Sequence, residues 1–516
     1  MHWKTYKNLT PAQKRDEVYY IIGLDVGNDS TGIAFFNVAT GESEAIDLSG
    51  GYGKPSIPTV MQYIEETREW VFGEYAILNR GLGTELTLSD LVQRLGDFDY
   101  IDIAGKPMAV ANVLALFLKE ILGSVRNINP KAEIVGIVSA VPAYFGDAAR
   151  QELTRAFAAA GYEKELIALV SDRECVFAHH YARHAPREEY VLLLDYGARE
   201  VRGGLYHVLP EGDTLAVESV SSLFDDTIGT VGVVSDVQDL FASFLPAEST
   251  VKTPQTVEQI TAFVHQNKDM IFQKNIRTKP VQLYFNFTYP PFRKTLTHTD
   301  AANLSRPYAL QFERFMRDVM QKNLYGEPIR PADISAVLCV GGGFEMLWTR
   351  ESVTEIFAKT QTHFHKNAKL VTAEGAALVA AQRLDMLDAP NIVLEDRHQL
   401  DFDIGLTDSG NFLPLIERNA FWWQKHTDKL ILINAAISDL STLQLQLATR
   451  TRVGDIHPLM DVELPGLPKR PKGTTRLGIG LDFTSNAEAI MTVRDVGFGE
   501  LFQSCDFCEE YEVELA

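Results

Sequence analysis

The sequence predicts a two-lobed α/β fold followed by an antiparallel β-sandwich. Three observations carry that prediction: two apolar hairpins built alike around an Asp-x-Gly turn, a third glycine turn between a buried strand and a helix, and a change of pattern after residue 383. Length agrees with it. The 516 residues, 46% hydrophobic and 23% charged, read as a soluble globular chain long enough for several cores.

The first hairpin is "YYIIGLDVGNDSTGIAFF", where β-branched and aromatic runs flank a Gly-Asn-Asp-Ser turn. The joint "VSAVPAYFGDAARQELTRAFAAAGYE" then sets a Pro-aromatic turn between an apolar run and a small-residue helix. The second hairpin, "EYVLLLDYGAREVRGGLYHV", repeats the first, with Asp195 in the place of Asp25 and Gly197 in the place of Gly27. The third turn, "ISAVLCVGGGFEMLWTRESVTEIF", puts Gly341 to Gly343 where backbone N–H groups can approach a phosphate or a nucleoside. After residue 383 short alternating strands take over, and Leu443, Leu445 and Leu447 in "STLQLQLATR" fall on one face of a strand.

Two aspartates from opposite lobes suit a hydrated magnesium ion, because that hard cation keeps waters and takes one or two carboxylates beside nucleotide phosphates. A single Asp-x-Gly is equally an ordinary turn, since both are standard turn residues; the pairing gives the motif its meaning. The formal net charge of −21 and a sequence pI of about 5.0 repel phosphate backbones and anionic bilayers, which excludes nucleic acid and membrane surfaces as expected partners. The mixed, polar N-terminus lacks the apolar core of a signal peptide, and no later segment approaches about 18 uncharged apolar residues, so a cytoplasmic protein is expected. Four cysteines fit a reducing compartment. Cys505 and Cys508 have the spacing of half a zinc site, but Cys175 and Cys339 lie in unrelated apolar segments, so plain strand residues are expected.

The joint resembles the first connecting segment of the ATPase domain of the heat-shock protein 70 chaperones, within the actin-like ATPase superfamily with its ribonuclease-H-like lobes. Val141, Pro142, Ala143, Tyr144, Phe145, Asp147, Ala148, Arg150 and Gln151 carry the match. Flanking matches follow in the family's order: a first phosphate turn at Asp25 to Thr31, a second at Asp195 to Glu200, an adenosine turn at Gly341 to Gly343, and "TAEGAALVAAQ" as the second connecting helix. "NIVLEDRHQLDFDIGL" resembles the chaperones' interdomain linker, "LPLIERN" the second strand of their peptide-binding sandwich, and "GIGLDFTSNAEAIMTVRDVGFGE" its closing hairpin with Asn486 at the turn.

The resemblance implies an N-terminal extension over 1–20, ATPase lobe I over 21–190, ATPase lobe II over 191–382, a linker over 383–400 and a β-sandwich over 401–512. It implies ATP or ADP with Mg2+, held by Asp25 and Asp195 through water, with Gly27, Asn28, Asp29, Gly197, Ala198, Gly341, Gly342 and Gly343 around the nucleotide and Asp172 as the acid near the attacking water. Unfolded or extended apolar peptides, or a protein partner, are the implied ligands of the sandwich, with Leu443 and Leu445 lining a groove; inter-sheet core is the other reading of those leucines.

The sequence departs from the family in several places. It ends within a few residues of the last strand, so a lidless member is expected. The family's lobe I lysine aligns on Ile77, its glycine-rich second turn has become Ala198, Arg199 and Glu200, and its adenine-stacking arginine aligns on Glu345. Lys268 aligns with the lobe II lysine. Carboxylates near a triphosphate repel it by on the order of 4 kcal/mol per pair at 4 Å and an effective dielectric near 20, which Arg199 and Arg202 offset in part. Two functional readings follow: an ATP-binding chaperone with, if active, weak ATPase turnover, and a pseudo-ATPase scaffold or adaptor that keeps the fold without efficient nucleotide binding or hydrolysis.

Overall fold

The two echoing hairpins become the centres of two mixed six-stranded sheets. In the first sheet the strands run in the order Leu166–Ser171, Glu133–Val141, Tyr19–Val26, Ser30–Asn37, Glu42–Ala45, and Ser56–Pro58 also pairs Ser30–Asn37. Tyr19–Val26 pairs parallel to Glu133–Val141 and antiparallel to Ser30–Asn37. The second sheet has the order Gln361–Phe364, Ala336–Val340, Glu189–Tyr196, Val201–Glu211, Thr214–Asp225, Asn391–Glu395. There Glu189–Tyr196 is parallel to Ala336–Val340 and antiparallel to Val201–Glu211. The runs Tyr19–Leu24 and Val191–Leu194 are buried throughout, as strands covered on both faces must be.

The computed structural model describes residues 3–10, 19–47, 56–79, 86–96, 98–128, 133–142, 145–245, 259–264, 279–286, 288, 291–321, 329–395, 400, 402–408, 411–418, 420, 428–438, 443–451, 454–483 and 488–515. They form two compact units, Met1–Leu394 and Glu395–Ala516.

Two helices join the sheets of the first unit. Asp172–Tyr181 turns Cys175 toward the core of the first sheet and Val176, Phe177 and Tyr181 toward that of the second. Val371–Arg383 packs against Asp172–Tyr181 and against Tyr19–Val26, and glycines set both approaches. A Cβ on Gly375 would lie 1.8 Å from the Cys175 carbonyl oxygen, and one on Gly23 would lie 2.1 Å from Ala373 O and Ala377 N. Gly23→Ala therefore forces strand and helix apart, and urea denaturation is expected to show a loss of about 2–3 kcal/mol; a loss below 0.5 kcal/mol would show that the helix shifts freely.

The Pro-aromatic joint does not itself cross between the sheets. After Pro142 the chain turns through Phe145, whose amide donates to Pro142 O at 3.0 Å, into the helix Asp147–Ala160. Ala149, Leu153, Ala156 and Phe157 pack that helix into the core of the first sheet, and Gly161 ends it at φ +90°. The crossing falls to the next helix, Asp172–Tyr181. Ala143 and Tyr144 lie outside the described residues.

Within the stretch read as a linker, Asn391–Glu395 is the edge strand of the second sheet, with Ile392 buried and the Asn391 amide donating to Asp213 O at 2.9 Å. The second unit holds two four-stranded antiparallel sheets around one core. One has the order Asn411–Ile416, Asp403–Asp408, Leu443–Arg450, Ile456–Leu464, and the other Lys429–Ile433, Thr475–Phe483, Glu488–Asp495, Cys508–Glu514. Alternation places Leu447, Val462, Leu477, Ile479, Met491 and Val493 in that core. Asp403 anchors the first sheet by accepting from Arg450 Nε at 3.0 Å and the Arg418 amide at 2.8 Å. All four cysteines are free thiols, Cys175 and Cys339 buried, Cys505 and Cys508 exposed; Cys508 opens a strand, but Cys505 precedes it. Asn486 lies outside the described residues.

Candidate functional site

Asp25 and Asp195 stand at the carboxyl ends of the two central parallel strands, in register with Ala140 and Val340. This is the end of an α/β sheet at which ligands collect. Asp172 begins the crossing helix, where Ser171 caps it by accepting from the Arg173 amide at 3.3 Å and the helix dipole favours a carboxylate. Asp172, Asp195, Arg202, Gly203, Ser222 and Thr372 line one recess. Arg202 lies within it, its Nη1 donating to Asp172 Oδ2 at 2.7 Å and its Nε pairing with the Glu200 carboxylate.

The charges at this recess do not balance. Burial, then Asp195 and Asp172, push the Asp25 carboxyl up to about 7, and Arg202 opposes them only in part. Asp25, Asp172 and Asp195 gather beside Arg202, with Arg173 also lining the recess, and the raised Asp25 carboxyl marks the local excess of negative charge that draws in a cation.

The glycine turns differ in what they admit. Gly27 donates its amide to Ser30 O at 3.2 Å and Gly197 donates to Glu200 O at 2.9 Å, so the two turns close alike. A Cβ on either would meet only its own turn, so their outer faces are open. The third turn is closed against protein: Cβ atoms on Gly341, Gly342 and Gly343 would lie 2.4 Å from Asp195 Oδ1, 2.3 Å from Lys369 Cε and 2.1 Å from the Tyr196 ring. Packing alone therefore demands glycine at Gly341, which also has φ +90°, and at Gly343, whereas at Gly342 the neighbour is a flexible lysine side chain.

A segment of the first sheet's side, around Asp90 and Gln93, contacts a side chain of each turn beside its glycine. Asn28 Oδ1 accepts from the Gln93 amide at 2.8 Å, and Arg199 forms an ion pair with Asp90. Asp29 is exposed, and the Ala198 carbonyl accepts from Val231 N at 2.8 Å. Ile77 is buried in a small cluster with Val60 and Ala76, and Glu345 is exposed. Lys268 lies outside the described residues.

In the second unit, Leu443 and Leu445 are half-buried against the core, while Leu447 is fully buried. Leu443–Arg450 pairs with Ile456–Leu464 along its length, but among the described residues its pairing with Asp403–Asp408 spans only Gln446 to Arg450.

Sequence reasoning missed a histidine group at the other end of the crossing helix. His180, His184 and His363 form one cluster, and His179, His365 and Glu374 another beside it. Burial, then the neighbouring His184 and His363, lower the His180 pKa to about 3. The available signal was His179-His180 with His184 one turn on, and the alternating pair His363 and His365.

Residues 399–515 match a domain of unknown function (DUF8552), and residues 42–204 match the C-terminal part of a family of unknown function (DUF5716). The chain is 22% identical over 491 residues to the chaperone protein DnaK of Thermosipho africanus and, to the same extent, to that of Thermosipho melanesiensis, covering 93% of this chain and 79% of each relative. This is a distant relationship to Hsp70-type chaperones. Among the described residues no helix is long and apolar enough to cross a membrane.

Proposed function

We propose that the chain is a cytoplasmic Hsp70-like, chaperone-related protein, with an actin-like nucleotide domain in its first unit and a peptide-engaging β-sandwich in its second. The observation that carries this reading is the convergence of Asp25, Asp172 and Asp195 beneath the two open turns at Gly27 and Gly197. The similarity to DnaK along most of the chain supports it.

The residues fit a magnesium–nucleotide group. Asp25 and Asp195 would hold the ion through water, and the turns at Gly27 and Gly197 would lie along the phosphates. When bound, magnesium supplies neutralisation of phosphate charge. Asp172 would orient a water, but Arg202 already occupies one of its oxygens, which leaves the other for that task. Ile77 offers no positive donor and Glu200 adds negative charge, so hydrolysis is expected to be slow; loss of one key donor typically costs about a hundredfold to a thousandfold.

Calorimetric titration with ATP and Mg2+ tests the reading. Binding is expected, with Asp195→Asn weakening it at least tenfold. No heat at millimolar nucleotide would overturn nucleotide binding and favour the scaffold reading, to which the Arg202–Asp172 and Arg202–Glu200 pairs lend support.

For the second unit, a labelled apolar heptapeptide is expected to bind at Leu443 to Leu445, by strand addition. Fluorescence anisotropy should show Leu443→Ala and Leu445→Ala weakening the peptide with little loss of stability, whereas Leu447→Ala unfolds the sheet pair at a cost of about 2–5 kcal/mol. Absence of any anisotropy change at high micromolar protein would reject peptide binding.

A further inference from the structure

We infer that His180, His184 and His363 form a zinc site that clamps the crossing helix to the edge of the second sheet. The three side chains come from a helix, the turn that follows it and a strand. His180 lies in Asp172–Tyr181 with His184 four residues on, and His363 projects from the edge strand Gln361–Phe364, opposite Leu338. One ligand atom from each lies within 4.8 Å of the others. Ring centroids are 4.2 Å apart for His180 and His184, 4.8 Å for His180 and His363, and 4.9 Å for His184 and His363.

The hydrogen bonding already present prepares His184 as a ligand. Its Nδ1 is 2.9 Å from the His180 carbonyl oxygen, which can only accept, so Nδ1 carries the proton and Nε2 keeps its lone pair. A ligating histidine that donates its other ring N–H to a backbone carbonyl is the usual supporting arrangement of a metal site. The ring nitrogens of His180 and His363 make no hydrogen bond to any described residue, although His180 is only 7% exposed. A ring placed as deep as that of His180 normally has a polar partner, and its lack of one among the described residues calls for a ligand.

The neighbouring cluster is already satisfied. Glu374 Oε2 pairs with His179 Nε2 at 3.0 Å and with His365 Nε2 at 3.5 Å, so that group closes on itself without an ion. Three imidazole nitrogens with no thiolate or carboxylate favour a borderline-soft dication such as zinc over magnesium or calcium. Tetrahedral zinc holds its nitrogens about 3.3 Å apart, so binding draws the rings together by side-chain rotation, which is easiest for His184 and His363, the less buried members. Three protein ligands leave one position for water or an outside ligand. The site is separate from the carboxylate recess, although one helix carries Asp172 at its start and His180 near its end.

Calorimetry of the metal-free, untagged chain with zinc alone tests the assignment. One zinc is expected per chain at a dissociation constant of about 1 µM or below, with His184→Gln and His363→Gln each weakening it at least tenfold and His365→Gln changing it less than twofold. Cobalt in place of zinc should give visible absorption bands that His184→Gln removes. No uptake at about 100 µM zinc, roughly a hundredfold above that constant, would overturn the site, as would uptake unchanged by both substitutions. Should His363→Gln unfold the chain by circular dichroism, the less buried His184→Gln decides.

Discussion

Replacing Arg470 by alanine is expected to destabilise the second unit by about 3–5 kcal/mol, the range for breaking a buried ion pair by removing one partner. Arg470 and Asp495 face each other through two hydrogen bonds of 2.7 Å, with side chains 4% and 0% exposed. Arg470 Nη2 also donates to Gln503 O at 2.7 Å, and Asp495 accepts the Cys505 amide at 2.9 Å and the Gly497 amide at 3.2 Å. Burial pushes the Asp495 carboxyl up, but Arg470 and the two amides together hold it below the usual range. Its contribution is thus present above the unfolded pKa and is lost as pH falls through the lower, folded one. Without Arg470 a charged carboxylate stays in the core, so the deficit of Arg470→Ala should be large at pH 7 and shrink toward pH 4. Urea denaturation at the two values checks this; a deficit under 1 kcal/mol at pH 7 would mean that the amides alone hold the charge.

The second large effect has the opposite sign. Asp25→Asn is expected to stabilise the metal-free first unit at pH 8. The folded pKa of Asp25, about 7, exceeds its ordinary value of 3.8, so between these values the folded chain holds a proton that the unfolded chain has lost. Wild-type stability therefore falls as pH rises from about 4 to about 7 and stays low above. Asparagine removes that loss. Three pKa units set a ceiling near 4 kcal/mol, and the gain at pH 8 should be on the order of 2–4 kcal/mol, absent at pH 4. Denaturation in chelator at pH 8 and pH 4 measures it, and equal gains at both would show that Asp25 carries no charge penalty. Millimolar magnesium should then stabilise wild type at pH 8 and leave Asp25→Asn nearly unchanged.

The strands were legible wherever burial is local. The apolar runs around Asp25 and Asp195 and the alternation from Leu443 to Leu447 state their own periodicity, because each side chain's environment follows from its neighbours in the strand. Asp25 and Asp195 could be paired from sequence because the two hairpins are copies of one plan. The same reasoning reached Arg202 only as a compensating charge, since its bond to Asp172 joins positions 30 residues apart. Asn391–Glu395 reads as linker from its place between two patterns, yet Ile392 finds a buried slot beside the second sheet that no local pattern announces. The histidines escaped notice because neither His180 nor His363 belongs to a short motif; a helix end and an edge strand meet only in the fold.

The close approach of Gly375 to the Cys175 carbonyl has a kinetic consequence. Cys175 lies beneath the contact of the two helices that join the sheets, fully buried, and burial raises its thiol well above the usual range. An alkylating reagent meets this sulfur only when the helices part, whereas Cys505 and Cys508 are open to it at all times. With Cys339, the other buried thiol, replaced by alanine, the ratio of slow to fast labelling is therefore a clock on the breathing of the helix contact, with the exposed thiols as its internal standard, and any ligand that holds the two sheets together should slow the clock.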